Sequence, residues 1–150
     1  MTDRIEKEIE LKAPVSRVWR AITDHQQFGE WFKVKIDGPF VAGQPSRGHI
    51  THPGYEHVKW EAEVKDMKPE SYFAYTWHPY AVDPNVDYRS EPTTLVEFRL
   101  EAKNGGTVLT VTESGFDAIP HGRRFEAFRM NERGWIEQMK NIERHVGRPG

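Results

Sequence analysis

The chain has 150 residues, a net charge of -2, no cysteine, and five Trp, five Tyr and eight Phe. One domain of that length buries about 68–70% of the surface its unfolded form exposes. The near-neutral charge argues against nucleic acid and anionic membranes, and the missing thiols exclude disulfides, thiolate nucleophiles and thiolate metal sites. Residues 1–15 hold no apolar core of signal-peptide type and no run approaches ~18 apolar residues, so a single soluble, cytoplasmic domain over 1–150 is expected, with no membrane segment.

Residues 4–11 set Ile5, Ile9 and Leu11 among charges. This imperfect alternation predicts an edge strand, with a helix as the competing reading. Pro14 suits a first helical turn, and Val15, Val18, Trp19 and Ile22 follow at helical spacing to Thr23. Thr23 or Asp24 caps a second short helix, Asp24 to Phe32, that shows Phe28, Trp31 and Phe32. Strands are predicted over 34–41, 47–51, 56–67, 72–78, 93–102 and 107–114. The third of these alternates most cleanly, with Val58, Trp60, Ala62 and Val64 against Lys59, Glu61, Glu63 and Lys65. Phe73, Tyr75 and Trp77 share one face of the next strand. Val96, Phe98 and Leu100, then Leu109 and Val111, share faces of the last two. Asn104-Gly105-Gly106 is the hairpin signal between those two.

Residues 79–92 contain Pro79, Pro84, Asn85 and Pro92 with little periodicity. They predict a long, mobile loop, of a length more often functional than merely connecting. Gly115-Phe116-Asp117 then leads into one long amphipathic helix, 120–146. Phe128, Trp135, Met139, Ile142 and Val146 fall within about 60° of one another around its axis. At ~27 residues it would run roughly 40 Å, and it is the only element large enough to cover the apolar face of the sheet. The expected class is therefore α+β. A curved antiparallel sheet of about six to seven strands wraps the C-terminal helix, with two short helices after the first strand and a space between sheet and helix.

The runs IEKEIELKAPVSRVWRAITD and FGEWF, then VKDMKPESYFAYTW, TLVEFRLEAKNGGTVLTVTESGF and NERGWIEQMKNIERHV, cover nearly the whole chain. Together they resemble the SRPBCC (START/Bet v 1-like) superfamily, in the branch named for the activator of Hsp90 ATPase homologue 1. The resemblance implies a helix-grip fold with a hydrophobic cavity. It also implies a range of roles: ligand carriers, aromatic polyketide cyclases and co-chaperone domains. None of these runs is a catalytic signature, and fold alone does not give function.

The candidate ligand-binding side chains are Trp60, Phe73, Tyr75, Trp77, Val96, Phe98, Leu109 and Val111 from strands, with Phe128 and Trp135 from the helix. Phe32 and Phe40 would close one end. Asn131 flanks the helical stripe and Arg124 projects onto it, where each can orient a ligand's oxygen atoms. His78 is an acid/base candidate, oriented by Asp83 or Asp87, beside Tyr75, Glu113 and Arg124. His49, His52 and His57 lack ligand-type spacing, so no metal is expected, and no cofactor is implied. Thr112-Glu113-Ser114-Gly115 is not a nucleophile elbow.

Three functions follow as expectations. The first is binding of an apolar or aromatic small molecule. The second is cyclase- or hydrolase-like acid/base chemistry in the same cavity. The third is docking to an Hsp90-type chaperone. Self-association as a homodimer, through rings such as Tyr80 or Tyr88, is a further partner option.

Overall fold

Alternation builds the sheet. In a computed structural model that describes residues 4–83 and 85–147, seven antiparallel strands form one sheet in the order β1-β7-β6-β5-β4-β3-β2. The strands are β1 (Arg4–Leu11), β2 (Val34–Ile36), β3 (Pro45–Ile50), β4 (Lys59–Lys68), β5 (Tyr72–Trp77), β6 (Thr94–Lys103) and β7 (Gly106–Ser114). Along β4, Trp60, Ala62 and Val64 are buried while Lys59, Glu61, Glu63 and Lys65 face water. Residues 4–11 are a strand, paired along their whole length with β7, and the helical alternative falls. A two-residue turn joins β6 to β7. Asn104 and Gly105 take φ of 52° and 81°, and Lys103 pairs with Gly106, as a hairpin with two left-handed turn residues requires.

Two short helices, α1 (Val15–Thr23) and α2 (His25–Phe32), separate β1 from β2. Asp24 caps α2, its Oδ1 accepting from Gln26 N at 2.9 Å and Gln27 N at 3.4 Å. Lys33, in the left-handed region at φ 68°, ends it. The long helix α3 (His121–Val146) follows a 3-10 turn, Phe116–Ala118. It buries Trp135, Met139, Ile142 and Val146 of the expected stripe, with Ala127 beside them, while Phe128 is half-buried. Arg17 Nε donates to Val146 O at 2.9 Å and so caps the last turn. Sheet, short helices and α3 form the helix-grip arrangement.

The boundaries shift by a residue or two at several ends, as where the strand expected from 47 begins at Pro45, and by more in two places. The expected strand over 34–41 stops at Ile36, because Gly38-Pro39 ends the pairing early. Phe40 is nevertheless buried, its ring 5.4 Å from Phe28 and 5.2 Å from Phe73. The strand expected from residue 56 begins at Lys59, since Tyr55–Val58 is a turn closed by Val58 N donating to Tyr55 O at 2.9 Å. Its register against β5 also shifts between Val64 and Asp66, a bulge with no sequence warning.

One cross-strand row sets up the interior. Val64 faces Tyr75, Tyr75 faces Val96, Val96 faces Glu113, and Glu113 faces Ile5. Leu109 and Val111 share the inward parity of Glu113, so β7 carries a carboxylate into the core at the end of an apolar face.

Candidate functional site

Glu113 is fully buried and held by four side chains from three elements. Trp77 Nε1 on β5 and Thr94 Oγ1 on β6 donate to Oε2, at 2.7 and 2.6 Å. Trp135 Nε1 on α3 donates to Oε1 at 2.9 Å, and Asn131 Nδ2 spans both oxygens at 3.0 and 3.1 Å. Burial raises the carboxyl above its ordinary value, and the bonds from Thr94, Trp77, Trp135 and Asn131 pull it partly back. The cluster ties sheet to helix at the centre of the grip.

Around it the rings touch one another. Trp77 lies 6.1 Å from Trp135 and 6.0 Å from Phe32, and Trp135 lies 5.8 Å from Phe98. Trp60 stands 5.4 Å from Tyr75, and Phe73 lies 6.0 Å from Phe98. Trp60, Phe73, Tyr75, Val96, Phe98, Leu109 and Val111 are all at most 2% exposed. The sheet-facing candidates therefore come together, and protein rings occupy the space expected between sheet and helix. Depressions of about 580 Å³ and about 80 Å³ lie elsewhere. The first is on the outer sheet face, lined by residues such as Arg4, Glu97 and Arg99, and the second is between the ends of α2 and α3.

Tyr75 is the exception in this packing. It is 1% exposed, yet its hydroxyl has no hydrogen-bond partner in the protein, alone among the buried side chains described. Burial, and then the charge of Glu113, push its phenol well above the ordinary value.

The remaining polar candidates point elsewhere. His78 Nε2 donates to Glu91 O at 3.0 Å and is not oriented by Asp83 or Asp87. Asp83 Oδ1 accepts from Asn85 N, and Asp87 pairs with Arg89 at 2.9 Å. Arg124 turns back on the chain before its own helix, donating to Ile119 O at 3.2 Å and Asp117 O at 2.8 Å. It does not reach the interior. Of the four acid/base candidates, Tyr75 and Glu113 lie near each other and His78 and Arg124 do not join them.

Arg123, which the sequence did not single out, fastens the 79–92 loop. Its guanidinium pairs with the Glu91 carboxylate at 2.8 Å and donates to Tyr80 O at 3.0 Å and Pro79 O at 2.9 Å. It also lies 4.7 Å from the Tyr88 ring centroid. The loop is therefore strapped to the first turn of α3, beside half-buried Trp77, Tyr80 and Phe128. His57 Nε2, from another loop, adds a bond to Val82 O at 3.1 Å. Among the described residues, no helix is long and apolar enough to cross a membrane.

Solved structures share this arrangement over nearly the whole chain. MLL2253 of Mesorhizobium loti is 22% identical, with a TM-score of 0.77 and 98% of each chain covered. DynU16, from the dynemicin biosynthetic locus, is 20% identical with a TM-score of 0.75; 98% of this chain is covered, and it spans only 48% of DynU16. The Aha1 dimer of Colwellia psychrerythraea is 19% identical with a TM-score of 0.70, covering 97% of this chain and 96% of that one. At these identities the likeness shows the fold alone. No curated protein matches the sequence. The family described as activator of Hsp90 ATPase homolog 1-like protein matches residues 12–147, and the chain belongs to that family.

Proposed function

We propose that this domain binds a small apolar or aromatic molecule between the sheet and α3. The observation that carries the reading is the Tyr75 hydroxyl, buried without a partner inside a shell of rings. A buried, unsatisfied hydroxyl costs about 1–3 kcal/mol, and a ligand that bonds to it recovers that cost. The rings that pack edge-on against Tyr75 are those an incoming aromatic guest would meet. Because the rings fill the interior, uptake must displace side chains, and Trp77, Tyr80 and Phe128 are rings only half-buried against the core. Observed affinity then falls in proportion to the fraction of molecules open.

The test is titration with Nile red, an uncharged fluorophore, together with native mass spectrometry of freshly purified protein. Saturable, one-to-one uptake by the folded protein is expected. A folded protein that takes up no Nile red and carries no small molecule would sink the reading.

A second reading, acid/base chemistry on a bound ketone, has the raised carboxyl of Glu113 near Tyr75 in its favour. Glu113 would take a proton from the carbon beside the carbonyl while the Tyr75 hydroxyl steadies the enolate oxygen. Four donors already occupy the carboxylate, which weakens it as a base, so binding leads. Deuterium exchange at the methyl group of bound 2-acetylnaphthalene, followed by NMR, separates the two: exchange no faster than in buffer removes the chemistry and leaves the binding. A chaperone partner has the family description for support and no feature of this site.

A further inference from the structure

Polar groups at the buried end of this site are nearly all committed. Trp77, Trp135, Asn131 and Thr94 donate to Glu113. Arg124, the cation that helical projection aims at the interior, donates to the carbonyls of Ile119 and Asp117. Arg123 is taken up by Glu91, Pro79 O and Tyr80 O. Among the described residues, what remains for a guest is one phenol, Tyr75, with Glu113 as the nearby ionisable group and no cation acting on either.

Resting on the binding reading above, we infer that the site selects an uncharged aromatic ligand with a carbonyl or similar acceptor bonded to Tyr75 Oη, and that it rejects aromatic carboxylates and fatty acids. An acceptor finds there the one buried side-chain donor that lacks a partner among the described residues. A carboxylate would be buried beside a second carboxylate with no counter-charge, which costs far more than the one bond to Tyr75 returns. Burial holds the phenol protonated, so it acts as a neutral donor across the physiological range. The rings of Trp60, Phe73, Trp77 and Phe98 around Tyr75 set the flat, apolar body of the guest.

The experiment uses three naphthalenes of matched shape as competitors of Nile red at neutral pH. 2-Acetylnaphthalene carries an uncharged acceptor, 2-ethylnaphthalene carries none, and 2-naphthoate carries a negative charge. Wild-type protein is expected to bind the ketone at least about tenfold more tightly than the carboxylate. In Tyr75→Phe the preference for ketone over ethyl compound is expected to fall about tenfold. Should the variant fail to fold, the wild-type ranking of ketone over naphthoate still tests the rejection of charge. Uptake of Nile red with naphthoate bound as tightly as the ketone overturns this inference and spares the binding reading. So does a preference for ketone over ethyl compound that Tyr75→Phe leaves unchanged. A protein that binds none of the four probes loses both.

Discussion

Tyr75 and Glu113 stand in one cross-strand row with only Val96 between them, and their surroundings are opposite. Donors enclose Glu113 and none reaches Tyr75. The carboxylate is a finished structural contact that joins β5, β6 and β7 to α3. The phenol has no protein partner, a structural cost that a hydrogen-bonding guest would offset. The two residues thus divide the interior into a part whose polar groups are fully bonded and a part where one hydroxyl is left without a protein partner.

Glu113→Gln should destabilise the protein by about 2–4 kcal/mol, because an amide nitrogen replaces one acceptor and meets donors that cannot accept. Both indole N–H groups are donors only. The loss should also remove a pH dependence. The folded-state pKa of Glu113 lies above the ordinary 4.5, so the fold holds its proton more tightly than the unfolded chain. The stability it contributes is present below 4.5 and is lost as pH rises through the folded value. Urea denaturation at several pH values checks this: wild type minus variant should decline with rising pH just above 4.5. A difference that grows there would contradict the raised carboxyl.

Tyr75→Phe should leave the free protein as stable or make it more stable, by up to about 1–2 kcal/mol, since it deletes a buried hydroxyl that bonds to nothing. Most core substitutions go the other way. Thermal unfolding of the ligand-free protein decides it. A clear drop in the midpoint would mean the hydroxyl has a structural partner.

Local signals made much of this structure legible. Strict alternation marks 59–65 and 94–100, and Asn104-Gly105 marks its hairpin, because each depends on neighbours in the chain. Glu113 was also readable as inward, since it continues the parity of Leu109 and Val111. Its partners were not. Trp77, Thr94, Asn131 and Trp135 lie 18 to 36 residues away, and only the sheet register and the seat of α3 bring them together. Arg124 shows the limit of a helical wheel. It falls on the apolar stripe in projection, but in the first turn two carbonyls of the preceding segment, of Asp117 and Ile119, bind its guanidinium. Tyr75 could be placed on the inner face, whereas the lack of any partner for its hydroxyl is a property of the packed core.

Arg123→Gln should loosen the 79–92 loop without unfolding the domain. The lost contacts are a half-buried carboxylate pair and two bonds to loop carbonyls, and all of them hold the loop. Limited trypsin digestion should cut after exposed Arg89 several-fold faster, while global stability falls by only about 1–2 kcal/mol. Equal cleavage rates in variant and wild type would mean that the strap does not hold the loop.

Tyr72 should be visible in alkaline unfolding. Its hydroxyl donates to Glu97 Oε2 at 2.5 Å, and burial, then that bond, push its pKa up to about 12. A phenol with a raised folded value keeps its proton in the fold after the unfolded chain has lost it. Its contribution is therefore intact below 10 and is lost as pH rises from 10 toward 12. Arg99, 5.1 Å from the Tyr72 ring centroid and 2.9 Å from Glu97, offsets part of this, so the magnitude is modest. Tyr72→Phe should lower stability modestly below 10 and flatten the alkaline fall over that window, so that variant and wild type converge as pH rises toward 12. Phenolate absorbance should show Tyr72 ionising late in the wild type, and Tyr75 only as the protein unfolds, because its ring lies inside the core. Ionisation of all five tyrosines in the folded protein near pH 10 would refute both the Tyr72–Glu97 contact and the burial of Tyr75.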